Sequence, residues 1–120
     1  MQMQVRAAIA YLAGRIITGR HSGAVYDFAG GGYRLIDGSI GGNSINLYDY
    51  TAGCHFGGSK SGKGFALYHY GTGSSISIDF SGNRFSGYDY GSGSHYNGTV
   101  NGNSISLYDF GAGRFYDYTI

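Results

Sequence analysis

From residue 44 to residue 120 the chain advances in steps of ten. Seven-residue segments end at Tyr50, Lys60, Tyr70, Phe80, Tyr90, Val100, Phe110 and Ile120, and three turn-forming residues separate each from the next. Short segments of fixed length punctuated by Gly-rich connectors predict a β-sheet of short strands and tight turns. The connectors fall into two classes. AGG (29–31), TAG (51–53), GTG (71–73), GSG (91–93) and GAG (111–113) end in Gly, whereas GGN (41–43), SGK (61–63), SGN (81–83) and NGN (101–103) read x-Gly-Asn or x-Gly-Lys. The last residue of a three-residue hairpin loop is commonly left-handed, a conformation free for Gly and cheap for Asn. The two classes alternate, so the repeat is twenty residues, marked by Tyr48-Asp49-Tyr50, Tyr68-His69-Tyr70, Tyr88-Asp89-Tyr90 and Tyr108-Asp109-Phe110. Tyr26-Asp27-Phe28 is an earlier copy, and Gly32–Ile40, two residues longer than its counterparts, predicts a bulge or a longer loop.

Each repeat holds two strand types. In SHYNGTV (94–100), Tyr96, Gly98 and Val100 share one face and His95, Asn97 and Thr99 the other. In SISLYDF (104–110), Ile105 and Leu107 share a phase that Tyr108 and Phe110 do not. A β-bulge between Leu107 and Tyr108 would turn all four inward and leave Ser104, Ser106 and Asp109 outside. Extended to the other copies, it buries Ile45, Leu47, Tyr48, Tyr50, Phe65, Leu67, Tyr68 and Tyr70, and exposes Ser44, Asn46, Asp49 and His69. Small residues such as Gly58, Ala66, Gly87 and Gly98 then make room for the rings. Without the bulge, Tyr48, Tyr68, Tyr88 and Tyr108 face outward instead.

Two architectures satisfy the pattern. One is an antiparallel meander of about ten strands, curled or closed into a barrel, with a helix packed on it or plugging an end. The other is a β-solenoid with twenty-residue coils and ladders of like residues. The hairpin-like loops favour the meander; identity at twenty rather than ten residues favours the solenoid. In either, a terminal strand such as RFYDYTI (114–120) is a template for another chain.

A single domain is expected over 1–120: an N-terminal helix within 1–20 and the repeat-built sheet over 22–120. The helix is placed at Gln4 to Thr18, where Val5, Ile9, Leu12 and Ile16 form an apolar stripe. Ala7, Ala10, Tyr11 and Gly14 form its back, so it is expected to be buried on more than one side. Two readings follow: it covers an open end or face of the sheet, or Ala7, Ala10 and Gly14 let it pack closely against a second copy in a homo-oligomer. The apolar run is too short to span a bilayer and lacks the features of an export signal, making the cytoplasm the default compartment.

Composition limits the chemistry. All seven acids are Asp, at 27, 37, 49, 79, 89, 109 and 117, and the formal net charge of +1 gives no electrostatic reason to expect nucleic acid. A single Cys54 excludes an intrachain disulfide and a Cys-based zinc site. It occupies the repeat position of Ser74 and Ser94, which suits a small core or rim residue better than a nucleophile. His55 is expected across a hairpin from Asp49, and His95 from Asp89, on a solvated face. These pairs could orient a metal ligand or tune a base, but the copies at 69/75 and 109/115 do not preserve them. The GxG connectors join strand to strand, unlike a nucleotide fingerprint.

No catalytic residues, metal or cofactor are therefore expected. The sequence reads as a non-catalytic structural or interaction protein that self-associates. The alternative is a carbohydrate-binding module that stacks sugar rings on Tyr48, Tyr68, Tyr88 and Tyr108.

Overall fold

A computed structural model describes residues 1–120. One helix, α1 (Met3–Thr18), precedes ten strands: β1 (Ala24–Asp27), β2 (Gly32–Ile40), β3 (Ser44–Asp49), β4 (Cys54–Ser61), β5 (Gly64–His69), β6 (Ser74–Ser81), β7 (Arg84–Asp89), β8 (Ser94–Asn101), β9 (Ser104–Asp109) and β10 (Arg114–Thr119). Every strand pairs antiparallel with its sequence neighbours, and β10 returns to β1, closing a ten-stranded barrel. The meander is thus the architecture, and the solenoid is excluded. Closure rests on a short seam, Tyr26 against Thr119 and Asp27 against Tyr118. The final strand pairs with β9 along its whole length and with β1 at Tyr118 and Thr119, which shortens the edge it offers to another chain.

The helix fills the bore. Every residue from Val5 to Gly14 except Arg6 is buried, and Ala7, Ala8, Ile9, Ala10, Tyr11, Leu12 and Ala13 have no solvent exposure. At 16 residues it is about 24 Å long, close to the molecule's shortest extent of 28 Å. A barrel of eight strands is filled by its own side chains; ten strands leave room for a helix whose back is small. Ala7, Ala10 and Gly14 therefore permit close approach to the barrel wall, not to a second copy. A Cβ at Gly14 would lie 2.9 Å from Ile120 Cδ1 and 3.1 Å from Ile105 Cδ1. Gly19, left-handed at φ 69°, ends the helix. Tyr11 donates its hydroxyl hydrogen to Ser22 O and accepts from Arg15, which satisfies the phenol inside the bore.

The strands alternate without interruption. In β9, Ile105, Leu107 and Asp109 are buried while Ser106 and Tyr108 are half-buried on the outer face. The expected bulge after Leu107 is absent, and so are its counterparts in β3, β5 and β7. Ile45, Leu47, Phe65, Leu67, Ile105 and Leu107 do line the core. Tyr48, Tyr68 and Tyr108 lie outside, Tyr50, Tyr70 and Phe110 sit exposed on the turns, and Asp49 and His69 point in. In β8 the reading holds: Tyr96 and Val100 are buried, His95 and Asn97 exposed. Gly98 gives way to the Phe85 ring and Gly87 to the Tyr96 hydroxyl, whereas Ala66 is exposed and makes room for nothing inside.

The two turn classes are distinct in conformation. Gly31, Gly53, Gly73, Gly93 and Gly113, the last residues of the first class, are left-handed as expected. In three of the four second-class connectors the middle glycine takes the positive φ (57° at Gly62, 60° at Gly82, 59° at Gly102) and the following Lys63, Asn83 and Asn103 do not. Gly42 does not, and its loop is longer, with Ile40 paired to Ile45. Two-residue hairpins with Gly first are the type II′ arrangement.

Gly14→Leu is expected to lower stability by about 1–3 kcal/mol through overpacking against Ile105 and Ile120. Denaturant unfolding with light scattering checks this; a change of solution mass without loss of stability would contradict the buried placement.

Candidate functional site

The repeat's Tyr-Asp-Tyr motif organises one end of the barrel. Each inward Asp accepts backbone N–H groups of the turn that follows: Gly30 N on Asp27 (3.0 Å), Ala52 N on Asp49 (2.9 Å), Gly91 N on Asp89 (2.9 Å) and Gly111 N on Asp109 (2.9 Å). His69 takes the same place with Nδ1, which accepts from Thr72 N at 3.3 Å. Short polar side chains that bind the backbone two or three residues ahead are turn formers, and here they draw the preceding strand's last residue inward. The Asp carbonyl also accepts the N–H of the left-handed glycine, for example Gly53 N on Asp49 O at 2.7 Å. The turn therefore has four residues, Tyr50–Gly53, not three.

That extra residue shifts the register by one. Asp49 pairs with Cys54 and Tyr48 with His55; Asp89 pairs with Ser94 and Tyr88 with His95. The expected His55–Asp49 and His95–Asp89 pairs do not form. Both imidazoles instead lie outside against tyrosine rings, at 4.8 Å from Tyr48 and 4.6 Å from Tyr88.

Inside this rim the carboxylates meet the start of α1. The Met1 ammonium lies 3.0 Å from Asp109 Oδ2 and Arg6 NH1 3.3 Å from the same atom. Burial pushes the Asp109 carboxyl up, but the N-terminal ammonium and the turn N–H groups outweigh it and hold it below the usual carboxylate range. Arg34 sits 3.6 Å from Asp49. The Cys54 sulfur is 3.7 Å from His69 Nε2, a contact that resembles a nucleophile and base only in composition. Thr72 N–H donates to Nδ1, and the sulfur, 4.0 Å from Nδ1 as well as 3.7 Å from Nε2, lies across the ring rather than on the in-plane axis of either nitrogen, so the contact is not a proton-transfer geometry. Burial raises the Cys54 thiol and lowers the His69 imidazole, keeping both neutral. Cys54, Ser74 and Ser94 share one role: each packs against the turn glycine of the adjoining repeat, Gly71, Gly91 and Gly111 respectively.

Outside the same rim runs an aromatic collar. Residues two apart share a face, so each motif presents two rings edge to face: Tyr26–Phe28 at 5.0 Å, Tyr48–Tyr50 at 4.9 Å, Tyr68–Tyr70 at 4.7 Å, Tyr88–Tyr90 at 4.8 Å and Tyr108–Phe110 at 4.8 Å. Four of the five modules gain a third ring from the next strand, from Tyr33, His55, His95 or Phe115. The fifth has Ser75 opposite Tyr68. With that ring missing, and with Gly57 across the other side of Tyr68, a groove of about 780 Å³ opens on the outer face. Tyr68, Tyr70 and Tyr90 border it, and Asn46, His55 and Ser77 supply polar groups. Tyr70 and Tyr90 are 65% and 67% exposed, against 38% for Tyr68 at the groove's wall.

The structure thus brings Tyr48, Tyr68, Tyr88 and Tyr108 onto one outer belt, with Tyr50, Tyr70, Tyr90 and Phe110 as partners that the bulge assumption had hidden. Plain alternation of residues 104–110 would have found them. The other group singled out, Ala7, Ala10 and Gly14, is sealed in the bore.

Acid sensitivity follows from the rim. His69 has a folded pKa below its ordinary ~6.5, so as pH falls the unfolded chain takes up the proton first and stability drops from about pH 6.5 downward. Asp109 acts later: its contribution is present above the unfolded value of about 3.9 and is lost as pH falls through its lower folded value. Unfolding midpoints measured between pH 7 and about 5.5 should decline in the parent and flatten in His69→Gln. Asp89→Ala, which strands the Gly91 N–H and the Ser92 hydroxyl, is expected to lose about 1–3 kcal/mol in the same assay.

No protein-family model matches this chain, and no curated protein or solved structure matches it.

Proposed function

We propose that the chain is a non-catalytic binding protein whose aromatic collar takes a glycan, with the groove beside Tyr68 as the principal seat. One observation carries the reading. The barrel holds five edge-to-face pairs of rings on its outer face, the second of each pair exposed, and a groove opens where the third ring is replaced by Ser75. Sugar rings have an apolar face of C–H groups that stacks on tyrosine, and hydroxyl edges that need hydrogen bonds. The groove offers both, through Tyr68 and Tyr70 on one side and Asn46, His55 and Ser77 nearby. The rings are pre-ordered by their edge-to-face partners and by strand backbone, which limits the entropy lost on binding. Single-site affinity from such contacts is modest, at about 1 kcal/mol per stacked ring. Five collar modules could engage a polymer together and raise it.

The Cys54–His69 contact, in which the sulfur lies off the axis of both ring nitrogens, supports the non-catalytic part of this reading.

Self-association, the other reading, has one observation in its favour. With the helix enclosed by the barrel, the collar is a large apolar surface that includes Phe28, Tyr33, Leu35 and Phe115, each more than half exposed. A second copy would then cover the rings a glycan would use.

Screening on a glycan array, followed by titration of the best hit, is expected to give saturable binding that Tyr68→Ala/Tyr70→Ala weakens at least about tenfold. Tyr108→Ala, on a module that keeps its third ring, should change it little. Absence of any saturable hit, together with a dimer by light scattering that Tyr70→Ala dissociates, would replace the glycan by a second copy.

A further inference from the structure

The opposite end of the barrel is built differently. There the helix ends, the type II′ hairpins turn, and the repeat's inward position is apolar in four of five copies: Ile40, Phe80, Val100 and Ile120. The fifth is Lys60, on the inward phase of β4 after Cys54, Phe56 and Gly58, with its ammonium turned out to solvent and 5.9 Å from the Phe65 ring. Three residues on, the turn position held by Asn43, Asn83 and Asn103 in the other copies is Lys63. Two departures from a twenty-residue repeat thus fall on one mouth, and both introduce a cation.

A cavity of about 540 Å³ opens there. Its apolar wall is Ile16 of the helix with Ile40, Phe65 and Phe80 of the strands. Lys60, Lys63, Arg15 and Arg20 lie around it, and no carboxylate lines it. Arg15 and His21 are engaged by Asp37, at 3.9 and 2.8 Å, and Arg20 holds the Asn103 side chain. Lys60 and Lys63 enter no ion pair. The helix C-terminus contributes about half a negative charge at this end, which two unpaired ammonium groups exceed.

From this juxtaposition we infer that the mouth is a binding site for a small amphipathic anion, a carboxylate or sulfonate on an alkyl or aryl body. The head group sits between Lys60 and Lys63 with Arg20 alongside, and the body lies on Ile16, Ile40, Phe65 and Phe80. A site of this volume suits a ligand of small-molecule size, with an apolar wall and few convergent polar groups. A purely polar anion would leave the apolar wall wet; a neutral hydrocarbon would leave the lysines unused. The site is on the other end of the molecule from the collar and does not depend on the glycan reading.

The repeat supplies its own control variants. Lys60→Val and Lys63→Asn place at each position a residue that another copy already carries, so the barrel is expected to fold. Octanoate, octanol and octyltrimethylammonium are titrated by NMR, reading the methyl groups of Ile16 and Ile40. Octanoate should saturate and shift both methyls, and should bind about tenfold or more tightly than octanol, with the cation weaker still. K60V/K63N should weaken octanoate about tenfold and leave octanol unchanged, while Tyr68→Ala leaves octanoate unchanged. Equal binding of octanoate and octanol, an unaltered octanoate affinity in K60V/K63N, or no saturation with any of the three would overturn the proposal.

Discussion

A carboxylate accepting the backbone of its own turn fixes most of this molecule. Asp27, Asp49, Asp89 and Asp109 each bind the N–H groups of the turn ahead, and His69 substitutes an imidazole nitrogen in the same geometry. An unpaired buried carboxylate would be prohibitive, so the inward position is tolerable only because the turn N–H groups come with it. That interaction makes the turn four residues long, sets the register of every hairpin at that end and determines the face on which the flanking tyrosines emerge. It also builds a ring of negative charge, into which the helix delivers its N-terminus, the Met1 ammonium and Arg6. The sign of the helix dipole matches the ring.

Burial of the helix depends in turn on the closed sheet. Val5, Ile9 and Leu12 supply the apolar stripe, and Ala7, Ala8, Ala10 and Ala13 keep the remaining circumference slim enough to be enclosed. A helix hydrophobic all round has no stable place on a surface. All nine hairpins bring together strands that are neighbours in sequence; only the β1–β10 seam joins the chain's distant parts, through two residue pairs. The helix therefore serves as the common core on which local hairpins assemble and as the bridge across a seam too short to hold by itself. Arg15, reaching from the helix to Gly38 O, and Tyr11, reaching to Ser22 O, tie it to the segments beside that seam.

Strand number and the meander could be read in the sequence because a repeat states the same instruction several times; the boundaries fall one residue away, at Asp49 and Ser61 rather than Tyr50 and Lys60. The helix's burial on several sides was also legible, from the small residues on its back. What misled was the assumption that large apolar rings go in and carboxylates go out. For Tyr108 and Asp109 the opposite holds, because a turn hydrogen bond compensates the Asp and because a phenol accepts a half-exposed position. Hydrophobicity ranks side chains by transfer to an apolar phase, and that ranking has no term for a carboxylate whose partners are the next turn's N–H groups. The same omission misplaced His55, whose register depends on whether Tyr50 belongs to the strand or to the turn.

A repeat protein also marks its functional positions by departing from itself. Copies that serve only the fold can converge on the residue the geometry favours, so a copy that departs while the fold is unchanged has another constraint or none. Three departures here have steric or electrostatic consequences on the surface. Ser75 stands where the other modules have a ring, and a groove appears. Lys60 stands where Ile40, Phe80, Val100 and Ile120 seal the core, and Lys63 where asparagine fills the turn, and a cationic mouth appears. All three belong to the span from β4 to β6, on opposite ends of the same wall. In that wall the fold's requirements are already met by β4 to β6 pairing in full register, which leaves the side chains at its two rims free to be chosen by something other than folding.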